Sequence, residues 1–189
     1  MEELEHKIRN SLMSKIFVTG NLQFGRPSII KKMKRPFESL EEMHEELIKK
    51  WNAVVAINDT VYHCGNFAWD PDTAETMLNK LNGNIYLIPG EDDNAILDLV
   101  KNKSVPKHAA VIDAINEISE LESVLSYWPM TVWPKQSRRY YNVHAYPSKK
   151  HLSNHKSKSL NVACDFWGYK PIELETVKEL VNLNEEFTD

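Results

Sequence analysis

Apolar positions along this chain follow two alternating rhythms. Three short runs rich in β-branched and aromatic residues, Lys15–Thr19, Thr60–Cys64 and Asn84–Ile88, each break into a glycine followed by a polar residue: Gly20-Asn21, Gly65-Asn66 and Gly90-Glu91. That break predicts strands delivering side chains to a site at their C-terminal ends. Between the runs, Leu40, Met43, Leu47, Trp51 and Val54 recur at helical spacing, and Ser39 with Glu42 forms a capping-box signature, so a helix is predicted over 40–54. Pro71-Asp72 opens a second helix through Ala74, Met77, Leu78 and Leu81, closed by Asn82-Gly83, and Asn94–Lys101 suits a third. This β-α-β-α-β order predicts α/β layering with sequential strands side by side.

Beyond Pro106 the rhythm shortens. Strands are predicted around 109–113, 117–121, 123–127, 141–144 and 160–164, forming a second, more antiparallel sheet. Ser148–Ser159, rich in Lys, His and Ser, reads as a solvated loop, as does the basic segment Lys31–Arg35. Pro171 starts a final helix carrying Leu174, Val177, Leu180 and Val181. Residues 1–13 suit a short amphipathic helix with Leu4, Ile8 and Leu12 on one face.

Composition narrows the class. With 189 residues the chain suits a single domain over 14–189 preceded by an N-terminal extension, 1–13. A hydrophobic fraction of 42% and a charged fraction of 26% are those of a soluble globular protein. A net charge of −4 gives no global reason to bind nucleic acid or a membrane surface. Cys64 and Cys164 sit far apart in strand-like runs, which favours buried free thiols over a disulfide or a metal pair. The polar N-terminus lacks the apolar stretch of a signal peptide and no run approaches membrane-spanning length, so the expected compartment is the cytoplasm.

Several strings together resemble the calcineurin-like metallophosphoesterases in their small phage and bacterial form. These are Phe24-Gly25 with Ile29-Ile30, Arg35-Pro36-Phe37, Trp51-Asn52, Asn58–His63, Leu81–Gly83, Trp128-Pro129 and Asn161–Pro171. The resemblance implies a two-sheet mixed β-sandwich flanked by helices. It also implies an active site at the strand ends that holds two divalent metals, such as Mn, Fe or Zn, and hydrolyses phosphate esters. Position by position, however, the family's ligands are replaced. Its first Asp and His fall at Asn21 and Gln23, and the following His at Arg26. The Asp that bridges both metals falls at Asn66. In the Gly-Asn-His-Asp string the Asn ligand is Glu91, the catalytic His is Asp92, and the closing Asp is kept as Asp93. The His before Tyr-Pro falls at Tyr127, and the last pair of histidines at Tyr146 and Ser148.

Two divalent ions a few ångströms apart are tolerable only with anionic bridging ligands. Asn66 offers one neutral carbonyl oxygen and an NH2 that a cation repels, and Gln23, Tyr127, Tyr146 and Ser148 lack imidazole nitrogens. The expectation is a degenerate former site with no catalytic residue, no metal and no cofactor. Glu91 and Asp92, with His63 and His144, form an alternative candidate metal cluster. The competing reading makes Glu91-Asp92-Asp93 an acidic cap on the following helix and His63 a packed strand histidine. Lys31–Arg35, Lys149–Lys158 and Arg138–Tyr141 form a candidate nucleic-acid surface, weighed against ordinary solvated faces. Trp51, Trp128, Trp133 and Trp167 read as core. Tyr127 and Tyr146 would place rings where the family has water and metal.

The function expected from this mismatch is that of a catalytically inactive phosphoesterase-like protein. It would engage a protein partner as a binding, adaptor or inhibitor molecule, phage-encoded and directed at a host or defence protein. The alternatives are an active metal-dependent phosphoesterase with an altered site, and a nucleotide binder that does not hydrolyse.

Overall fold

The structure, a computed structural model, describes residues 14–148, 153–154 and 158–183. The segment 1–13 and most of the basic loop after Ser148 lie outside the described residues.

Four strands, β1 (Ile16–Thr19), β2 (Thr60–Cys64), β3 (Asn84–Ile88) and β4 (Ala109–Val111), run parallel in chain order. Both faces of this sheet are covered, which is why its strands read as nearly continuous apolar runs. Phe17, Val61, Ile85 and Leu87 face one core; Val18, Cys64 and Ile88 face the other. Helices cover the first face: α1 (Ser28–Met33), α2 (Leu40–Asn52), α3 (Pro71–Leu78) and α4 (Asn94–Asn102). In α2 the buried residues Met43, Leu47 and Trp51 repeat every fourth position, and Ser39 Oγ accepts the Glu42 amide at 3.1 Å. Asp70 caps α3 by accepting the Thr73 amide at 2.9 Å, with Pro71 beginning the first turn.

Local expectations fail where a short-range signal had two meanings. The helix predicted through Leu81 ends at Leu78, and Gly83 does not close it. Gly83, at φ +96, instead turns the chain into β3, where an added Cβ would lie 2.9 Å from Val55 Cγ1. The basic segment read as a loop begins inside α1, a short helix anchored by buried Ile29, whose last residues include Lys31 and Lys32. Arg35 is buried and so is not part of any basic surface.

The second sheet comprises β5 (Ile115–Ile118), β6 (Ser123–Ser126), β7 (Tyr141–His144), β8 (Ser153–Asn154) and β9 (Ser159–Asn161), in the order β5-β6-β7-β9-β8. It is less antiparallel than expected. β6, β7 and β9 are parallel, and only the edge pairs β5–β6 and β8–β9 are antiparallel. The connections 127–140 and 145–158 are long enough to return the chain to the same end of the sheet, as parallel pairing requires. Pro171 precedes a short strand, β10 (Ile172–Glu173), antiparallel to β1, before the last helix, α5 (Leu174–Leu183). The two sheets share a core in which Val18, Cys64 and Ile88 of the first meet Leu125, Val143 and Leu160 of the second. The architecture is therefore α/β, with two mixed sheets flanked by helices. Both cysteines are buried and free, as expected. No helix of the described residues is long and apolar enough to cross a membrane.

Candidate functional site: an amide network at the strand ends

The loops after β1, β2 and β3 converge, and the backbone itself aims their side chains inward. Asn21, Gln23 and Asn66 all adopt left-handed conformations (φ 58, 58 and 59). Asn enters this region more readily than most residues, and each such position costs on the order of 1 kcal/mol. Backbone ties hold the loops together: the Asn21 amide donates to Gly65 O at 2.8 Å, Gln23 to Asn66 O at 3.0 Å and Phe24 to Phe67 O at 2.9 Å. Gly65 (φ +85) is required here, because a Cβ would lie 2.6 Å from Tyr127 Cδ2.

From these positions the side chains satisfy one another. Gln23 Nε2 donates to Asn21 Oδ1 at 3.1 Å, and Asn21 Nδ2 donates to Asp165 Oδ2 at 2.9 Å. Asn66 Nδ2 donates to the Tyr127 hydroxyl at 2.9 Å and, more weakly, to Asn21 Oδ1 at 3.4 Å. Asn66 Oδ1 accepts the Asp92 amide at 3.0 Å. Arg26 Nη1 donates to Gln23 Oε1 at 3.0 Å and forms a close ion pair with the Asp92 carboxylate. Burial pushes the Tyr127 hydroxyl pKa up; the hydrogen bond from Asn66 opposes this, and the charges of Glu91 and Asp92 reinforce it, so Tyr127 stays a neutral phenol.

The carboxylates of Asp92, Asp93 and Asp165 are engaged as well. Asp93 sits at the N-terminus of α4 but makes no side-chain cap there. Its carboxylate turns back to the strand ends, accepting amides of Gly90 (2.6 Å), Phe67 (2.7 Å) and Asn66. The acidic-cap reading thus holds for position but not for bonding: Asp93 is the N-cap residue of α4 without a side-chain cap, Asp92 is paired with Arg26, and Glu91 is exposed. Asp165 was not singled out from the sequence. It receives Arg35 Nε at 2.8 Å and Nη2 at 3.0 Å, while Arg35 also donates to the carbonyls of Asn21 (2.6 Å) and Leu22 (2.8 Å). Burial works to lower the Arg35 pKa, but the neighbouring Cys164 and Asp165 more than offset it, leaving it raised. The strings Arg35-Pro36-Phe37 and Cys164-Asp165-Phe166 carried the signal for this pair, without showing that they meet.

The alternative cluster is not gathered. His63 is buried in β2, edge-on to Phe67 with ring centroids 5.1 Å apart, and burial lowers its pKa to about 3. His144 ends β7 in the other sheet. Among the described residues no three His, Cys, Asp or Glu side chains form a group that could hold a metal ion. The donor set at the strand ends does not fit paired divalent ions on chemical grounds. Its amide oxygens already accept N–H donors, and Asp92, Asp93 and Asp165 are engaged; the single open carboxylate among the described residues there, Glu91, cannot bridge two cations alone.

Aromatic rings line the mouth. Tyr127 is buried beneath Trp128 (4.8 Å, edge-on) and Tyr146 (5.7 Å, edge-on), and Trp128 stacks on Tyr146 at 5.2 Å. Ser148, two residues beyond Tyr146, donates its backbone amide to Tyr146 O at 2.8 Å. Trp51 and Trp133 are core as expected, but Trp128 is 48% exposed. Across the mouth Trp69, also exposed, lies under the Arg26 guanidinium at 4.4 Å.

No family model matches this sequence. The chain is 29% identical over 177 residues to the uncharacterized protein MJ1445 of Methanocaldococcus jannaschii, covering 89% of this chain and 92% of that protein. It is also similar in fold to the crystal structure of the protein of unknown function AQ665 from Aquifex aeolicus. That match has a TM-score of 0.66 and 17% identity, and covers 89% of this chain and all of that one.

Proposed function

We propose that this protein is a catalytically inactive, metallophosphoesterase-like protein that acts by binding another macromolecule, as an adaptor or inhibitor. The observation that carries this reading is the closed hydrogen-bond network Arg35–Asp165–Asn21–Gln23–Arg26–Asp92–Asn66–Tyr127. Metal-assisted hydrolysis needs anionic oxygens and imidazoles pointing at a common point and free to bind. Here five of the positions that the family resemblance assigns to the site, Asn21, Gln23, Arg26, Asn66 and Tyr127, carry side chains that bind each other. Three of those positions, Asn21, Gln23 and Asn66, keep left-handed backbones that cost energy. A scaffold that retains its strained strand ends while its ligands change together supports a retained binding role.

Nucleotide binding without hydrolysis is the weaker alternative, because Arg26 is committed to Asp92 and Gln23, and a phosphate would also meet Glu91. The test is hydrolysis of bis(p-nitrophenyl) phosphate with manganese supplied. The expected result is no turnover above the metal-only blank. Turnover that disappears in Asp92→Ala would overturn the proposal.

A further inference from the structure

The mouth of the cleft holds one arginine–tryptophan–carboxylate arrangement and, separately, an exposed tryptophan and an unpaired carboxylate. On one side the Arg26 guanidinium lies 4.4 Å over the Trp69 ring while pairing with the Asp92 carboxylate. On the other, Trp128 is 48% exposed and held in place by its stack on Tyr146 and its edge contact with Tyr127. The next carboxylate on the same loop, Glu91, is exposed, and among the described residues it makes no ion pair or side-chain hydrogen bond. Its neighbour Asp92 donates its amide to Asn66 Oδ1 at 3.0 Å, and Asn66 Nδ2 reaches the Tyr127 hydroxyl at 2.9 Å, which ties this loop to the ring that Trp128 packs against. An exposed tryptophan and an open carboxylate, linked through Tyr127 and Asn66, lack only a cation, and Arg is the side chain that both stacks on indole and pairs with carboxylate.

We propose that Trp128 and Glu91 form a docking subsite for an arginine side chain presented by a protein partner, seated as Arg26 is seated on Trp69. Charge decides between classes of partner. Asp92 is neutralised by Arg26 and Glu91 is not, so Glu91 offers an uncompensated carboxylate that repels a phosphate and attracts an arginine side chain. Trp and Arg contacts of this kind are typical interface anchors, and the rigid aromatic stack beneath Trp128 limits the ordering cost of binding. The inference rests on the binding role proposed above.

The test is an NMR titration of the full chain with acetyl-Gly-Arg-Gly-amide, with the peptide carrying neutral citrulline in place of arginine as control. The expected result is a saturable shift of the Trp128 indole N–H and the Glu91 amide with the arginine peptide and none with citrulline. Glu91→Gln weakens the binding about threefold, and Trp128→Leu, read at the Glu91 amide, weakens it about fivefold. Glu91 is exposed and its side chain holds no partner among the described residues, so Glu91→Gln leaves the fold intact and keeps the test decisive if Trp128→Leu disturbs the Tyr127–Tyr146 stack. An unmoved Trp128 signal, equal shifts with citrulline, or a response to oligothymidylate in place of arginine would overturn the proposal. Failure here leaves the hydrolysis assay unaffected, and turnover in that assay would sink the binding role without moving the Trp128 titration.

Discussion

Asn66→Asp introduces the acidic residue that a two-metal site would need, and the structure predicts that it damages the protein. Asn66 is 3% exposed, and its NH2 group donates to Tyr127 and to Asn21 Oδ1. A carboxylate keeps the Asp92 amide as donor, and the Tyr127 hydroxyl can rotate to donate to it. It then faces Asn21 Oδ1, oxygen against oxygen, with the Asp92 and Asp93 carboxylates on the adjoining loop. Losing one neutral hydrogen bond costs about 1 kcal/mol, and a buried charge with incomplete pairing adds about 2 kcal/mol. The introduced carboxyl therefore has a folded pKa above its unfolded value. Stability falls as pH rises through that range, and the protonated form escapes the charge penalty. Urea unfolding is expected to give a loss of about 3 kcal/mol at about pH 8 and about 1 kcal/mol at about pH 4. Manganese is expected to return none of it, because Asp92, Asp93 and Asp165 are already engaged. A variant as stable as the parent at the higher pH, or one rescued by manganese, would refute the reasoning.

Further predictions follow from the same geometry. Asp165→Asn strands the buried Arg35 guanidinium and is expected to cost about 3 kcal/mol in urea unfolding; a loss under about 1 kcal/mol would show that the carbonyls of Asn21 and Leu22 suffice. His63 has a folded pKa of about 3 against 6.5, so the unfolded chain takes up the proton first, and stability is lost as pH falls from 6.5 towards 3. His63→Leu removes that acid-dependent loss, worth on the order of 4 kcal/mol at the acid end, and an unchanged acid midpoint would contradict it. Gly65→Ala forces both the left-handed backbone and Tyr127, and is expected to cost about 2 kcal/mol or more in thermal unfolding. Wild-type stability would mean that Tyr127 is not locked as described.

The fold was largely legible because its signals are local and redundant. β1 to β3 are short apolar runs that break at Gly followed by a polar residue, and α2 has both its stripe and its capping box. Errors arose where a local cue served two geometries. Gly83 ends a helix in one reading and turns into a strand in the other, and the parallel pairing of β6, β7 and β9 depends on long connections with no local signature. At the site, the sequence placed Asn21, Gln23, Arg26, Asn66 and Tyr127 in one cleft through the resemblance. It could not show that they bond to each other, because a hydrogen-bond network is a property of rotamers and of residues far apart in the chain. Asp165 with Asn21, separated by 144 positions, is the clearest example. Trp128 looked like core for the same reason: an aromatic residue has no sequence mark that distinguishes a buried ring from one stacked at the surface.

The measurement that bears most directly on the central claim is isothermal titration of the unmodified chain with manganese or zinc, followed by elemental analysis after desalting. The account predicts no stoichiometric binding at the strand ends, because Asn21, Gln23 and Asn66 satisfy one another and the nearby carboxylates Asp92, Asp93 and Asp165 are occupied. Two equivalents of metal retained per chain and lost in Asn66→Leu would contradict it.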